Sequence, residues 1–337
     1  MYVGISPVRI SLAGGGTDMP EYYEKYGGNV VSSTISLFTY LIIKARNDDS
    51  FQAFSTDFEI HQSKTSYKKL KAKVGTEIAV SVIRYLNFKN GGDFVIGSDV
   101  QPGSGLGASS SLTVNFINTI SKLQKKKFSN KQIAEKAFFV ERSLLFHPIG
   151  KQDDYSASYG GLNYIKFSKN NTTVTPIKLK KSKSNELQNN LLLFFIGTTR
   201  KSSSVLSTQL KKTKNSESTT LNSLHKVNDL GKDLFKALKR SDLTKVGEIL
   251  DEGWKEKKKF TTQVSNPKID KIYENGIKNG AIGGKLTGAG AGGHILFYCE
   301  PKKQKMLKNE MERLGLKYVD FKFYQKGVKT LNLYDFM

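Results

Sequence analysis

Apolar and polar residues alternate at Val8-Arg9-Ile10-Ser11-Leu12, the period of a half-buried strand, and this run empties into Gly14-Gly15-Gly16-Thr17-Asp18. Residues 30–35 and 39–45 read as paired strands. Phe94-Val95-Ile96 reads as another, leading through Asp99 into a second glycine-rich loop at 101–107. Beyond that loop the period changes. Leu112, Phe116, Ile120 and Leu123 share one helical face, so the loop feeds an amphipathic helix that Ser109, Ser110 and Ser111 are expected to cap. Ser129 with Gln132 three positions on is a capping-box signature for the next helix. Further strands are expected at 164–167, 174–179, 191–196 and 294–298, and a helical pattern fills 203–259. The polar stretch 168–190 places a boundary between a domain of residues 1–185 and one of 186–337.

Composition narrows the class. The 337 residues suffice for a large core, and 38% hydrophobic with 25% charged residues describes a soluble globular protein. No apolar run approaches the roughly 18 residues of a membrane span, and the first residues lack the basic and apolar regions of a signal peptide. A cytoplasmic protein is the expectation. A single cysteine, Cys299, rules out an internal disulfide, and four scattered histidines lack zinc-ligand spacing. The net charge of +23 suits an anionic partner, but the lysines fall in short scattered groups such as Lys257-Lys258-Lys259, without interleaved aromatics. They read as solvated surface, and neither a nucleic acid nor a membrane is expected as partner.

The chemistry gathers on the glycines. In Pro102-Gly103-Ser104-Gly105-Leu106-Gly107-Ala108-Ser109-Ser110, glycines let the backbone turn sharply and approach a ligand, and the following helix N-terminus offers unpaired N–H groups to an anion such as phosphate. The loop is not a Walker A sequence, lacking Gly-Lys-Ser/Thr, and its glycine register fails the dinucleotide fingerprint. Asp18 ends the first glycine loop, positioned to accept hydrogen bonds from polyol hydroxyls. Ala134, Ala137 and Phe138 lie on the same helical face as Glu141, so this carboxylate turns toward a core and must be paired, with a lysine for instance, protonated, or bound to a metal such as Mg²⁺. A third glycine-rich segment, 283–293, precedes the last apolar strand. Three such loops fit a nucleotide site between two lobes.

In this order the three stretches resemble those of the GHMP kinases, the superfamily of galactokinase, homoserine kinase and mevalonate kinase. The variants Ala13-Gly14-Gly15-Gly16-Thr17-Asp18, Gly150-Lys151-Gln152-Asp153 and Gly283-Gly284-Lys285-Leu286-Thr287-Gly288-Ala289-Gly290 are most similar to its bacterial heptose 7-phosphate kinase branch, and fucose kinases share much of the pattern. The resemblance implies an α+β fold of two domains, an N-terminal α/β domain and a ferredoxin-like C-terminal domain with the ATP cleft between them. It implies an ATP- and Mg²⁺-dependent kinase acting on a small-molecule sugar phosphate at its anomeric hydroxyl, in building nucleotide-heptoses for surface glycans, with a homodimer left open. Pro102 to Ser110 would wrap the triphosphate, Ser109 and Glu141 would hold Mg²⁺, and Asp153 and Arg9 would flank the attacking hydroxyl. Gly15, Gly16, Thr17, Asp18, Lys151, Gly288 and Gly290 would contact the sugar. Arg200 and Lys201, leaving the first strand of the second domain, would take its distal phosphate. Departures from the family pattern are Ala108, Ala291 and Asp154, the last standing where glutamine is common. Two alternatives remain: a kinase of an unphosphorylated sugar such as fucose, or a non-catalytic sugar and ATP sensor. Intact Ser109, Glu141, Asp153 and Arg9 argue against the sensor.

Overall fold

The computed structural model describes every residue except 56–59, 102, 198–201 and 337. The first domain runs β1 (Tyr2–Ala13), α1 (Pro20–Tyr26), β2 (Gly28–Ala45), β3 (Ser50–Ser55), β4 (Ile60–Ser66), α2 (Glu77–Tyr85), β5 (Gly92–Ser98), α3 (Ala108–Leu123), α4 (Asn130–Phe139), α5 (Gln152–Tyr159), β6 (Leu162–Phe167) and β7 (Thr172–Pro176). After α6 (Lys181–Asn190) come β8 (Leu191–Phe195), α7 (Ser202–Lys214), α8 (Ser218–Lys239), α9 (Thr244–Lys257), α10 (Pro267–Lys278), β9 (Ala281–Leu286), β10 (His294–Cys299), α11 (Pro301–Arg313), β11 (Lys317–Val319) and β12 (Lys329–Asn332). Their four-stranded sheet has the order β11-β8-β10-β9, all antiparallel. That is the ferredoxin-like order, with α7–α10 in the first crossover and α11 in the second. The fold is the expected α+β type.

Past β11 the chain crosses back: Phe323 bridges Ile35, and β12 pairs antiparallel with β1 in the first sheet. The first and last strands are thereby tied together.

Residues 30–35 and 39–45 do not form a hairpin. They are halves of one 18-residue strand, β2, which pairs with β6 along its first half, with β5 along its second and with β1 along most of its length. The intervening Ser36-Leu37-Phe38 has neither glycine nor proline to reverse the chain, and the irregularity is absorbed as a register shift opposite Pro7 and Arg9.

The alternation in β1 is real, but neither face meets solvent. Val8, Ile10 and Leu12 pack in a core shared with Leu230 and Leu234 of α8 and Leu250 of α9, so the two domains share apolar surface. Full burial of each such side chain contributes about 1.5–3 kcal/mol. Arg9 and Ser11, pointing the other way, are buried as well, against the N-terminal turn of α5. The polar face of the strand is the floor of a site.

Of the expected helix signals, the capping box is present. The Gln132 amide donates to Ser129 Oγ at 3.2 Å, and the Ser129 amide donates to Gln132 Oε1 at 2.9 Å. Serine capping of α3 is not: its N-cap is Gly107, in the left-handed conformation and without a side-chain bond. Ser109 Oγ turns instead to Glu141, and Ser111 Oγ donates to the Ser6 carbonyl. Phe116 and Ile120 are buried on the face predicted for them.

Candidate active site

A cavity of about 170 Å³ lies where the three glycine-rich loops converge, lined from the first loop by Gly15, Gly16 and Asp18, from the second by residues on both sides of Leu106, and from the third by Gly288 and Ala289. Leu106 itself is fully buried in the shared core and anchors its loop there.

The first-domain wall is a closed polar network. Arg9 donates from Nε to Asp153 Oδ1 at 2.6 Å and from Nη2 to Oδ2 at 2.5 Å, a two-pronged guanidinium–carboxylate pair, while its Nη1 donates to the Gly105 carbonyl at 2.7 Å. Ser11 Oγ donates to Gln152 Oε1 at 2.8 Å, and Gln152 Nε2 donates to Asp153 Oδ1 at 3.1 Å. The carboxylate is thus held from two sides in one orientation, on the first turn of α5. Asp18 Oδ1 accepts from the Gly16 amide and Oδ2 from the Gln152 amide, both at 3.0 Å. Burial, with the nearby Asp153 charge adding to it, raises the Asp18 pKa above the ordinary carboxylate value against those two amides.

Glycine is required in the second loop. Gly105 has φ +82°, and a Cβ there would lie 2.6 Å from the Thr287 carbonyl; Gly107 has φ +77°, and its Cβ would lie 2.9 Å from Asp153 Oδ2. The loop therefore touches both the third loop and the carboxylate. No side chain caps α3, and its first residues, Ala108, Ser109 and Ser110, line the cavity, leaving the helix N-terminus open to an anion.

Glu141 is fully buried in a π-helical turn, Val140–Leu144, that continues α4. Its Oε1 accepts from Ser109 Oγ at 2.5 Å and lies 3.7 Å from His147 Nδ1; its Oε2 has no partner. The hydrogen bond with Glu141 raises the His147 pKa. No lysine pairs with Glu141 among the described residues. Both carboxylate oxygens of Asp154 are likewise buried without a partner, and burial first, then the Glu141 charge, push its pKa well up. A hydroxyl beside an orphaned carboxylate oxygen is the hard oxygen set that suits Mg²⁺, which takes one or two carboxylates, waters and phosphate oxygens. No group of three or more His, Cys, Asp or Glu side chains is arranged to hold a metal among the described residues. The fit is to a cation that shares its coordination with a nucleotide.

The second-domain wall differs. Lys257, at the end of α9, and Lys285, in β9, are both buried and both line the cavity. Lys257 Nζ donates to the carbonyls of Gly288 and, at 3.3 Å, Leu286. Lys285 has no hydrogen-bond or ion-pair partner among the described residues. Burial, with help from Lys285 and Arg9, drives the Lys257 pKa well down, and burial with Arg9 lowers that of Lys285 to about 8. Gln209 and Phe260 complete this wall opposite Gly16.

Several expected contacts sit elsewhere. Lys151 Nζ pairs with Glu135 at 2.7 Å, over the rings of Tyr23 and Phe138, and is not among the cavity-lining residues. Thr17 Oγ1 donates to backbone carbonyls of Gly14 and Asn29, bracing the first loop from behind. Gly290 packs on Val264 rather than the cavity. Pro102, Arg200 and Lys201 lie outside the described residues. Gln152, Lys257 and Lys285 were missed as site residues. For Lys257 a signal existed, since it stands three residues after Trp254 and seven after Leu250, on the buried stripe of its helix.

Residues 69–161 match the GHMP kinases N terminal domain, and residues 234–315 match the GHMP kinases C terminal domain. A D-glycero-alpha-D-manno-heptose 7-phosphate kinase of Campylobacter jejuni is 33% identical, over 96% of this chain and 97% of that protein. The L-fucokinase/L-fucose-1-P guanylyltransferase of Bacteroides fragilis is 24% identical over 97% of this chain, which spans 38% of that longer protein. Among solved structures, a D-glycero-D-manno-heptose 1-phosphate kinase from Bacteroides thetaiotaomicron superposes with a TM-score of 0.83 at 25% identity, covering 98% of this chain and 99% of that one.

Proposed function

The chain belongs to the GHMP kinases, a family of phosphotransferases that use ATP, and on that premise we propose that it phosphorylates the anomeric hydroxyl of D-glycero-D-manno-heptose 7-phosphate to give the 1,7-bisphosphate. The observation that carries the chemistry is the Arg9–Asp153 pair beside the open helix N-terminus. The choice of sugar rests on the likeness to the Campylobacter protein over nearly both full lengths.

The triphosphate lies along Gly103–Gly107 and the first amides of α3. The sugar lies over Gly15 and Gly16, with Asp18 receiving hydroxyls. The anomeric oxygen attacks the terminal phosphorus. An O–P bond forms there, the bond to the bridging oxygen breaks, and its electron pair leaves with ADP. The hydroxyl proton passes to Asp153, whose orientation is set by Arg9 and Gln152. Mg²⁺, when bound, neutralises charge on the phosphate oxygens, and Ser109 and Glu141 would hold it. Positioning and charge neutralisation provide most of the acceleration in such a transfer. Arg200 and Lys201 are the proposed ligands of the distal phosphate, on the sequence alone.

A sugar panel tests the assignment. Heptose 7-phosphate, the unphosphorylated heptose and L-fucose are each incubated with Mg-ATP while ADP release is followed. Heptose 7-phosphate should give the highest kcat/KM by at least tenfold. Equal or better use of fucose would transfer the assignment to the unphosphorylated sugar.

A further inference from the structure

We infer that Lys257 and Lys285 form a cation pair on the second-domain wall that receives the phosphoryl group as it passes from ATP to the sugar. The inference rests on the kinase reading above and adds residues to it.

Three observations carry it. First, an ammonium has three donors, and Lys257 spends two on the carbonyls of Leu286 and Gly288, leaving one for the cavity it lines. Lys285 spends none on protein among the described residues. Buried lysines are normally paired, and these two share a cavity wall with no carboxylate bonded to either.

Second, the cluster is short of negative charge. Arg9, Lys257 and Lys285 meet there with Asp153, already spent on Arg9, and Asp18, already bonded to two amides. A phosphoryl group supplies what is missing, and burial makes each contact stronger than it would be in water.

Third, position selects the group in transfer over the distal phosphate of the sugar. Lys257 holds the Gly288 carbonyl, Gly288 packs on Gly105, and the Gly105 carbonyl accepts from Arg9, which grips Asp153. That chain of contacts ties the ammonium to the same cavity, and to the same guanidinium, as the carboxylate that meets the attacking hydroxyl. In a heptose 7-phosphate the distal phosphate is separated from the anomeric oxygen by the sugar ring and a side chain. As the O–P bond forms and the bridging bond breaks, charge on the equatorial oxygens faces this pair. A lysine from the second domain also makes chemistry depend on the two domains being docked.

Lys257→Met, Lys257→Arg and Lys285→Met test the inference. For each, kcat and KM are measured with heptose 7-phosphate, and binding of Mg-ADP, of heptose 7-phosphate and of Mg-ADP with aluminium fluoride, a mimic of the group in transfer, is titrated. The expected result for Lys257→Met is a kcat loss of about 100-fold or more, the scale of a lost transition-state donor. Mimic binding should weaken alongside it, while ADP and sugar phosphate bind within about threefold of wild type; Lys257→Arg should recover part of the loss. Lys285→Met should show the same split, and because that side chain bonds none of the described residues it carries the test if Lys257→Met fails to fold. Weaker binding of heptose 7-phosphate with kcat retained would overturn the inference in favour of a distal-phosphate site. Unchanged kcat in both Lys285→Met and Lys257→Met would overturn it in favour of a purely structural role. The mimic titration needs no sugar, so it still decides the question if heptose 7-phosphate proves not to be the substrate.

Discussion

The two walls of the cleft are built on opposite terms. On the first-domain wall the groups around Asp153 are answered within the protein: Arg9 by Asp153 and the Gly105 carbonyl, Asp18 by two amides, and the neutral Gln152 by Ser11 and Asp153. On the second-domain wall Lys257 has only carbonyls and Lys285 has no protein partner among the described residues. A satisfied network is rigid and orients what it touches. A wall of buried lysines with no carboxylate partner suits a ligand of opposite charge. On the proposed reading, the first wall positions the acceptor and the second receives the phosphoryl group.

Breaking the first wall should have the largest effect. Asp153→Asn keeps the shape of the network but removes the proton acceptor, and turnover should fall at least about 100-fold with ATP binding retained, as read by single-turnover kinetics and nucleotide titration. Turnover near wild type would take Asp153 out of the chemistry. Glu141→Gln separates metal from sugar: the Mg²⁺ concentration for half-maximal rate should rise by at least about tenfold, with the sugar KM little changed. An unaltered Mg²⁺ dependence would leave Glu141 as the buried partner of Ser109 and His147. Arg200→Ala should weaken use of heptose 7-phosphate relative to the unphosphorylated heptose by about 1.5–3 kcal/mol, the range of a lost charge-assisted bond. Equal losses on both sugars would assign Arg200 elsewhere.

The smallest expected effect sharpens the contrast through pH. Lys285 shares the cavity with Arg9, Lys257 and Asp18, and burial with the Arg9 charge lowers its pKa from 10.5 to about 8, so its charge is present below about pH 8 and lost above it. Binding of Mg-ADP with aluminium fluoride should weaken as pH rises through that value, and Lys285→Arg should flatten the decline. The sign for stability is opposite. Between about 8 and 10.5 the unfolded chain holds more protons at this residue, so the ligand-free protein gains stability from it as pH rises. Binding that does not vary from pH 7 to 9 would remove Lys285 from anion contact.

Much of this was legible in the chain because local chemistry and tertiary structure agreed. The three glycine loops carry their signal in composition, the Ser129–Gln132 box in spacing, and the buried Glu141 in helical period; all three patterns match the structure. What was not legible depends on distant partners. The course of β2 through Ser36-Leu37-Phe38 is decided by β1, β5 and β6 alongside it, and the four-residue β12 has too short a pattern to reveal that it returns to β1. The serines do not cap α3 because its N-cap is Gly107, which leaves Ser109, Ser110 and Ser111 inside the first turns of the helix, where Ser109 Oγ donates to Glu141. Lys257 was hidden by neighbours: Lys258 pairs with Asp270 and Lys259 with Glu256 near the surface, so three adjacent lysines looked alike when only one points inward. Lys151 lies two residues from Asp153 in sequence, but its side chain pairs with Glu135 and is not among the cavity-lining residues.

The most direct test of the whole account is the identity of the product. Heptose 7-phosphate incubated with Mg-ATP and the wild-type protein should give, by phosphorus NMR, a second phosphate signal coupled to the anomeric proton, with one ADP released for each sugar consumed. A new phosphate on any other carbon, or ADP release that does not depend on the sugar, would contradict it.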